Sequence, residues 1–161
     1  MSDGHRLLGI YLNDHLAAAV GALELARRSA AANRSNQYGA FLSELAGEIN
    51  DDVHALEEVM ARLDVGRDRL KLLAAWTAEK AGRLKLNGRW LDYSPLSLVE
   101  ELEILSLGVD GKVSLWRALE KLAEDNPRLG DVDLADLVAR ARSQRRRLER
   151  RRLQAARATF G

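Results

Sequence analysis

The sequence predicts an all-α fold, a helical bundle formed by a single domain over residues 1–161. Its composition is 47% hydrophobic and 30% charged but only 5% aromatic, with two prolines, which suits long helices and argues against a sandwich or barrel with frequent turns. Apolar residues recur at the helical period of about 3.6 residues over long stretches. At 161 residues, the chain has the length of one domain with a core of its own.

Local signals divide the chain into five helical segments. These are residues 3–32, 37–63, 67–86, 95–125 and 131–160. Asn36 is a suitable N-cap for the second segment, and Ser94-Pro95 combines a preferred N-cap with the residue tolerated at the first helical position. Asp64-Val65-Gly66 ends the second segment and Asn87-Gly88 the third. Asn126-Pro127 ends the fourth, because proline cannot continue a helix.

The lengths of these segments predict how they pack. The four long ones each measure about 40 to 46 Å at 1.5 Å per residue, so they match as rods of a four-helix bundle. Short loops after the first and fourth segments impose two antiparallel hairpins, and the short third segment is a crossover helix between them. The second and fourth segments then run parallel. Two antiparallel hairpins joined by a long crossover form the ferritin-like arrangement.

Polar residues interrupt the apolar face of each long segment near mid-bundle. His15 and Asp52 lie inside the apolar arcs of the first hairpin, at equal distances from its turn. A buried carboxylate needs a partner, so we predict a hydrogen bond or ion pair between His15 and Asp52. Lys112 reaches about the same level, opposite Gln144. Glu101 lies about three turns away on the same face as Lys112 and completes the predicted buried polar layer.

A metal centre is the alternative role of this layer. Ferritin-like di-iron proteins use a glutamate from two helices and Glu-x-x-His from the other two. This chain has no Glu-x-x-His and only three histidines, so an ordinary di-iron or di-manganese site is not favoured. A weaker iron or manganese site would use His15, Glu48, Asp52 and Glu101. We favour a polar layer that fixes the register between helices, with Lys112 neutralising carboxylates and no cofactor bound.

Four stretches of the chain carry a resemblance that spans nearly its whole length. They are LNDHLAAAVGALELARR, LAGEINDDVHALEEVM, AWTAEKAGRLKLNGR and YSPLSLVEELEILSLGVDGKVSLW. With their helix-hairpin, short helix, helix-hairpin layout they resemble an uncharacterised group of bacterial ferritin-like helical-bundle proteins. The metal-binding residues of the active ferritin-like enzymes do not map onto this sequence. The resemblance therefore implies a ferritin-like fold with a degenerate or altered centre.

Charge is divided unevenly along the chain. The formal net charge is +1, but residues 1–125 carry −5 and residues 126–161 carry +6. A candidate anion or nucleic-acid patch in the last segment consists of Arg142, Arg146, Arg147, Arg150 and Arg151. We favour a helix that packs against acidic residues of the same fold or presents a solvated face, because nonspecific nucleic-acid binders usually carry more net positive charge.

The sequence contains no motif that assigns a reaction. The absence of cysteine excludes disulfides, thiolate metal sites and cysteine nucleophiles. Neither Gly-x-Ser-x-Gly nor a P-loop pattern occurs, and no membrane span or signal peptide is indicated. We expect a cytoplasmic binding or structural module rather than an enzyme, one that forms a homo-oligomer through outer apolar residues of the third and fourth segments or binds a protein partner. The alternatives are a metal-binding enzyme or metal-storage protein and a nucleic-acid-binding bundle.

Overall fold

The computed structural model describes residues 3–68 and 93–161, and these form four α-helices and no strand. The helices are α1 (Asp3–Ala32), α2 (Gly39–Arg62), α3 (Pro95–Ala123) and α4 (Leu134–Phe160), with a 3-10 turn at Pro127–Leu129. The predicted all-α fold is confirmed for this part of the chain. In the predicted crossover segment, residues 67–68 are not helical and residues 69–86 lie outside the described ranges. None of the described helices is long and apolar enough to cross a membrane.

Side-chain caps fix the starts of α3 and α4. Ser94 and Ser97 each accept a hydrogen bond from the other's backbone N–H over 3.2 Å, which forms a capping box at the predicted start of α3. The fourth helix begins later than the predicted residue 131. Its cap is Asp133, whose carboxylate accepts from the backbone N–H of Asp136 over 2.9 Å.

The turn before α2 leaves no room for a side chain at Gly39. Asn36 accepts from the backbone N–H of Tyr38 over 2.9 Å and donates to Asn33 Oδ1 over 2.7 Å, so asparagine side chains close the turn. Because of this turn, α2 begins at Gly39 and not at residue 37, where the sequence predicted its start. A β-carbon at Gly39 would lie only 2.4 Å from the backbone oxygen of Asn33.

Replacing Gly39 with alanine is therefore expected to lower the free energy of unfolding by about 1–3 kcal/mol, because the turn must open to admit a methyl group. Gly47 is a matched control on the same helix, since nothing lies within 4 Å of a β-carbon built there. Gly47→Ala is expected to raise stability by about 0.5–1 kcal/mol through helix propensity. Urea denaturation measures both changes, and equal effects at the two positions would contradict the crowding at Gly39.

Hydrogen bonds at the two ends of α1 show which elements meet there. Near the start of α1, Asn13 donates to the backbone oxygen of Gly66 over 2.9 Å and accepts from the N–H of Asp68 over 2.6 Å, just beyond α2. Near its end, Arg28 donates to Glu101 of α3 over 3.2 Å. The helix α1 packs along α2 and contacts α3, which in turn packs along α4.

Buried apolar side chains form two separate clusters along the bundle. The cluster toward the start of α1 includes Leu12, Leu16, Leu56, Trp116 and Leu119. The cluster toward its end includes Leu23, Leu42, Leu45, Leu102 and Leu148. The boundary between them falls within residues 49–53 of α2, 109–115 of α3 and 141–148 of α4. The polar residues Asp52, Lys112 and Gln144 lie at this boundary.

The outer face of α3 exposes the apolar residues Leu96, Ile104 and Leu107. These belong to the surface through which the sequence predicts self-association. The other part of that surface, the predicted crossover segment, lies almost entirely outside the described residues. Self-association stays a prediction.

Candidate functional site

A polar layer, consisting of Asp52, Lys112, Gln144 and Arg140, separates the two apolar clusters. Asp52 is 3% exposed and Gln144 is 2% exposed. Lys112 donates from Nζ to the Asp52 carboxylate and to the Gln144 side-chain oxygen. Gln144 donates from Nε2 to Asp52 Oδ2 over 3.1 Å, and Arg140 donates to Asp52 Oδ1 over 3.2 Å. One carboxylate from α2 thus accepts hydrogen bonds from α3 and α4.

The attraction between Lys112 and Asp52 offsets part of the free-energy cost of burying their charges. The pKa of Lys112 lies below its usual value, chiefly because burial disfavours the charged ammonium, while attraction to Asp52 opposes that shift. A buried ion pair is stable only if hydrogen bonds satisfy its remaining polar atoms. Gln144 meets this requirement from both sides, since it accepts from Lys112 and donates to Asp52.

The sequence predicted that Asp52, Lys112 and Gln144 reach one level, and the structure brings these three into contact. It does not form the predicted pair between His15 and Asp52. His15 is half-buried on α1, with its ring edge-on to Tyr11 and the ring centroids 4.6 Å apart. Among the described contacts, no hydrogen bond or ion pair joins it to Asp52. The positive charge that the carboxylate requires comes from Lys112 instead.

His15 borders a small cavity of about 50 Å³ beside the polar layer. Asp52, Lys112 and Trp116 line the same cavity, whose other walls are largely apolar. Trp116 is 1% exposed, and its indole N–H has no hydrogen-bond partner within the described part of the chain. The cavity therefore lies among the side chains of His15, Asp52, Lys112 and Trp116, and its volume suits water-sized molecules.

Burial lowers the pKa of His15 below its ordinary value of 6.5, and the nearby charge of Asp14 opposes this shift. Below about pH 6.5, His15 is therefore protonated less often in the folded protein than in the unfolded chain. Its contribution to stability is lost as the pH falls from about 6.5 through its folded-state pKa. We expect His15→Gln to lose less stability than the wild type between about pH 7 and pH 5. His54→Gln, at an exposed histidine of α2, should keep the loss due to His15. Identical pH profiles of His15→Gln and the wild type would contradict this prediction.

Glu101 lies about three turns from the polar layer and does not contact it, contrary to the sequence prediction. Its carboxylate accepts hydrogen bonds from Arg28, from the hydroxyl of Ser29 and, over 2.9 Å, from the hydroxyl of Tyr93. Asn33 donates to the same Tyr93 oxygen over 2.7 Å. Burial and the charge of Glu101 raise the pKa of Tyr93, so its phenol stays protonated and donates. This cluster ties the start of α3 to the end of α1.

The residues of the predicted metal site are His15, Glu48, Asp52 and Glu101, and the structure does not bring them together. Glu48 binds Arg147, whose Nη2 lies 2.6 Å from both carboxylate oxygens. The other two carboxylates bind cations at different levels of the bundle. Within residues 3–68 and 93–161, no group of three or more histidine, cysteine or acidic residues is arranged to hold a metal ion.

Several arginines of α4 pair with carboxylates of neighbouring helices. These pairs are Arg140–Asp52, Arg147–Glu48, Arg147–Glu44, Arg145–Asp110 and Arg152–Glu103. In the predicted anion patch, Arg142, Arg146 and Arg150 are instead exposed, and none has an acidic partner among the described residues. The helix therefore packs against acidic residues on one side and presents free guanidinium groups on the other.

Two residues of the site, Arg140 and Trp116, were not identified as site residues from the sequence. Arg140 lies four residues before Gln144 on α4, and residues at that spacing share a helix face. This spacing is the signal that could have found it. Trp116 was identified only as an apolar core residue, because no sequence pattern reveals that an indole N–H is buried without a partner.

Comparisons with protein-family models, with curated proteins and with solved structures give no match for this chain. We therefore infer function from the polar layer and from the arginines of α4.

Proposed function

We propose that this protein is a ferritin-like helical bundle without redox activity, which acts as a binding or structural module. In this proposal the polar layer takes the place of a di-iron site. The observation that carries it is the position of Lys112, whose ammonium group binds Asp52 and Gln144 in the middle of the bundle. Ferritin-like enzymes direct carboxylates at metal ions in that region. Here a side-chain cation neutralises the carboxylate and repels a divalent ion.

The ferritin-like arrangement is part of this proposal, and the contacts at the ends of α1 support it. Asn13 bonds to residues just beyond α2, and Arg28 bonds to the start of α3. These contacts are those expected if α2 and α3 run in the same direction and α1 runs opposite to both. Two antiparallel hairpins joined by a crossover would have this geometry.

The structural role follows from the position of the polar layer between two apolar clusters. Sliding α2 or α3 by one helical turn, about 5.4 Å, would move Asp52 or Lys112 into apolar surroundings without its partner. An unpaired charge in such a position costs several kcal/mol, on the order of 3–5. The polar layer therefore favours one register of the helices over its neighbours.

Metal analysis tests this function. Elemental analysis of protein purified without chelator or affinity metal is followed by anaerobic titration with Fe(II), Mn(II) and Zn(II). We expect no stoichiometric metal in the purified protein and no saturable binding in the titration. Stoichiometric iron or manganese that is lost in both His15→Ala and Asp52→Asn, with helicity retained, would overturn the proposal in favour of a metal-dependent enzyme or storage protein.

A further inference from the structure

A groove between the start of α2 and the later half of α4 gathers three guanidinium groups around an aromatic ring. This arginine groove has a volume of about 450 Å³, and its lining includes Phe41, Glu44, Arg147, Arg150 and Arg151. Ligand pockets for small molecules span about 300–1,000 Å³. The groove is therefore large enough for a phosphorylated metabolite and too small to enclose a folded partner.

The charge in the arginine groove attracts an anion. Three guanidinium groups face the carboxylate of Glu44 and that of Glu48, which binds Arg147, so a net charge of about +1 remains. A phosphate monoester carries about −1.5 to −2 at pH 7. Arg150 is exposed and has no acidic partner among the described residues. The first turn of α2 has neither an acidic residue nor a side-chain cap. The partial positive charge of this helix end therefore adds to the positive electrostatic potential in the groove.

Two of the three arginines are held in place by neighbouring side chains. Arg147 is fixed by Glu48, which accepts from it through both carboxylate oxygens. The guanidinium of Arg151 lies over the Phe41 ring at 5.5 Å from its centroid and donates to Gln154 over 3.2 Å. Side chains that are already ordered lose less entropy when a ligand binds.

We propose that the arginine groove binds a small molecule that carries a phosphate monoester. Arg150 and Arg151 hold the phosphate oxygens, because guanidinium groups form paired hydrogen bonds with phosphate. The organic part of the ligand lies against the apolar part of the lining, which consists of the exposed Ala40 and the small accessible part of Phe41. This site supplies a ligand class for the binding role proposed above, yet it shares no residue with the polar layer.

Calorimetry at low ionic strength tests the proposal with adenosine 5′-monophosphate, inorganic phosphate and adenosine as probes. We expect saturable binding of the monophosphate, weaker binding of inorganic phosphate and none of adenosine. Arg150→Gln and Arg151→Gln should each weaken binding of the monophosphate by about tenfold, the effect of losing one charged hydrogen bond. Arg142→Gln is the matched control, because it removes the same charge from an exposed position of α4 outside the groove, and its affinity should stay within twofold, or about 0.4 kcal/mol, of the wild type.

Glu44 provides a test of opposite sign. Its carboxylate lies in the lining of the groove, where it binds Arg147 over 2.9 Å, and its negative charge repels the phosphate that Arg150 and Arg151 hold. Glu44→Gln should strengthen binding of the monophosphate several-fold. Glu58→Gln removes an exposed carboxylate of α2 outside the arginine groove and should leave the affinity unchanged.

Three results would overturn the proposal. The first is no saturable binding of either phosphate probe by the wild type. The second is an equal loss of affinity in Arg142→Gln and Arg150→Gln, which indicates a diffuse basic surface. The third is tighter binding of a single-stranded oligonucleotide than of the monophosphate, with a steep salt dependence, which assigns the arginines to a nucleic-acid backbone. Because metal binding is measured separately, failure of this proposal is distinguishable from failure of the proposed function.

Discussion

Replacing Lys112 with methionine is expected to lower the free energy of unfolding by about 3–5 kcal/mol, because it removes one partner of a buried ion pair. Methionine fills nearly the same space, so the loss reflects charge and not a cavity. Among the described residues, Asp52 would keep Arg140 and the Gln144 amide as donors, and the buried oxygen of Gln144 would lose its donor. Urea denaturation followed by circular dichroism measures the change.

Lys121→Met is the control for this prediction. Lys121 lies on the same helix and pairs with Glu124 over 2.6 Å, but its side chain is 78% exposed, against 12% for Lys112. Exposed pairs contribute at most about 1 kcal/mol, so this change should be small. A loss for Lys112→Met no larger than the loss for Lys121→Met would contradict a stabilising role for the buried ammonium.

The triple variant Asp52→Leu, Lys112→Met and Gln144→Leu is expected to regain the free energy of unfolding that Lys112→Met loses. It should recover about 3 kcal/mol or more relative to Lys112→Met and reach wild-type stability or exceed it, because apolar residues often replace a buried ionic group without loss. Arg140 does not prevent this recovery, since its side chain is 38% exposed and can turn toward water. The same denaturation experiment measures the recovery.

The triple variant also separates stability from specificity. If the polar layer fixes register, the variant should be stable but less uniquely packed, with poorer dispersion of side-chain methyl resonances than the wild type. A triple variant clearly less stable than the wild type would show that the layer contributes net stability. That outcome would contradict a role in register alone.

Much of the fold could be predicted from local signals. The end of α1 at Ala32, the Ser94 N-cap before Pro95 and the end of α2 near Leu63 depend on neighbouring residues, and the structure places each at or close to its predicted position. The starts of α2 and α4 were shifted, because residues that the sequence assigned to each helix form the turn before it. The helix α2 begins at Gly39 after the asparagine turn, and α4 begins at Leu134 after its cap, Asp133.

The candidate site could be predicted only in part. The helix lengths and turns give the height of a residue along the bundle, but they do not give the conformation of its side chain or the atoms it contacts. Asp52, Lys112 and Gln144 were placed at one level by the symmetry of the hairpins, and they do meet. His15 lies near that level, yet its ring contacts Tyr11 instead of Asp52. The partners of the arginines depend on long, flexible side chains that a sequence pattern does not orient.

A double-mutant cycle between Asp52 and Lys112 tests the central claim most directly. Asp52→Asn keeps the size of the side chain and its ability to accept from Gln144, and Lys112→Met removes the opposite charge. From the free energies of unfolding of the wild type, both single variants and the double variant, we predict a coupling energy of at least about 2 kcal/mol. A coupling within about 0.5 kcal/mol of zero would mean that the two changes act independently, and would contradict a bundle centre held by an internal ion pair.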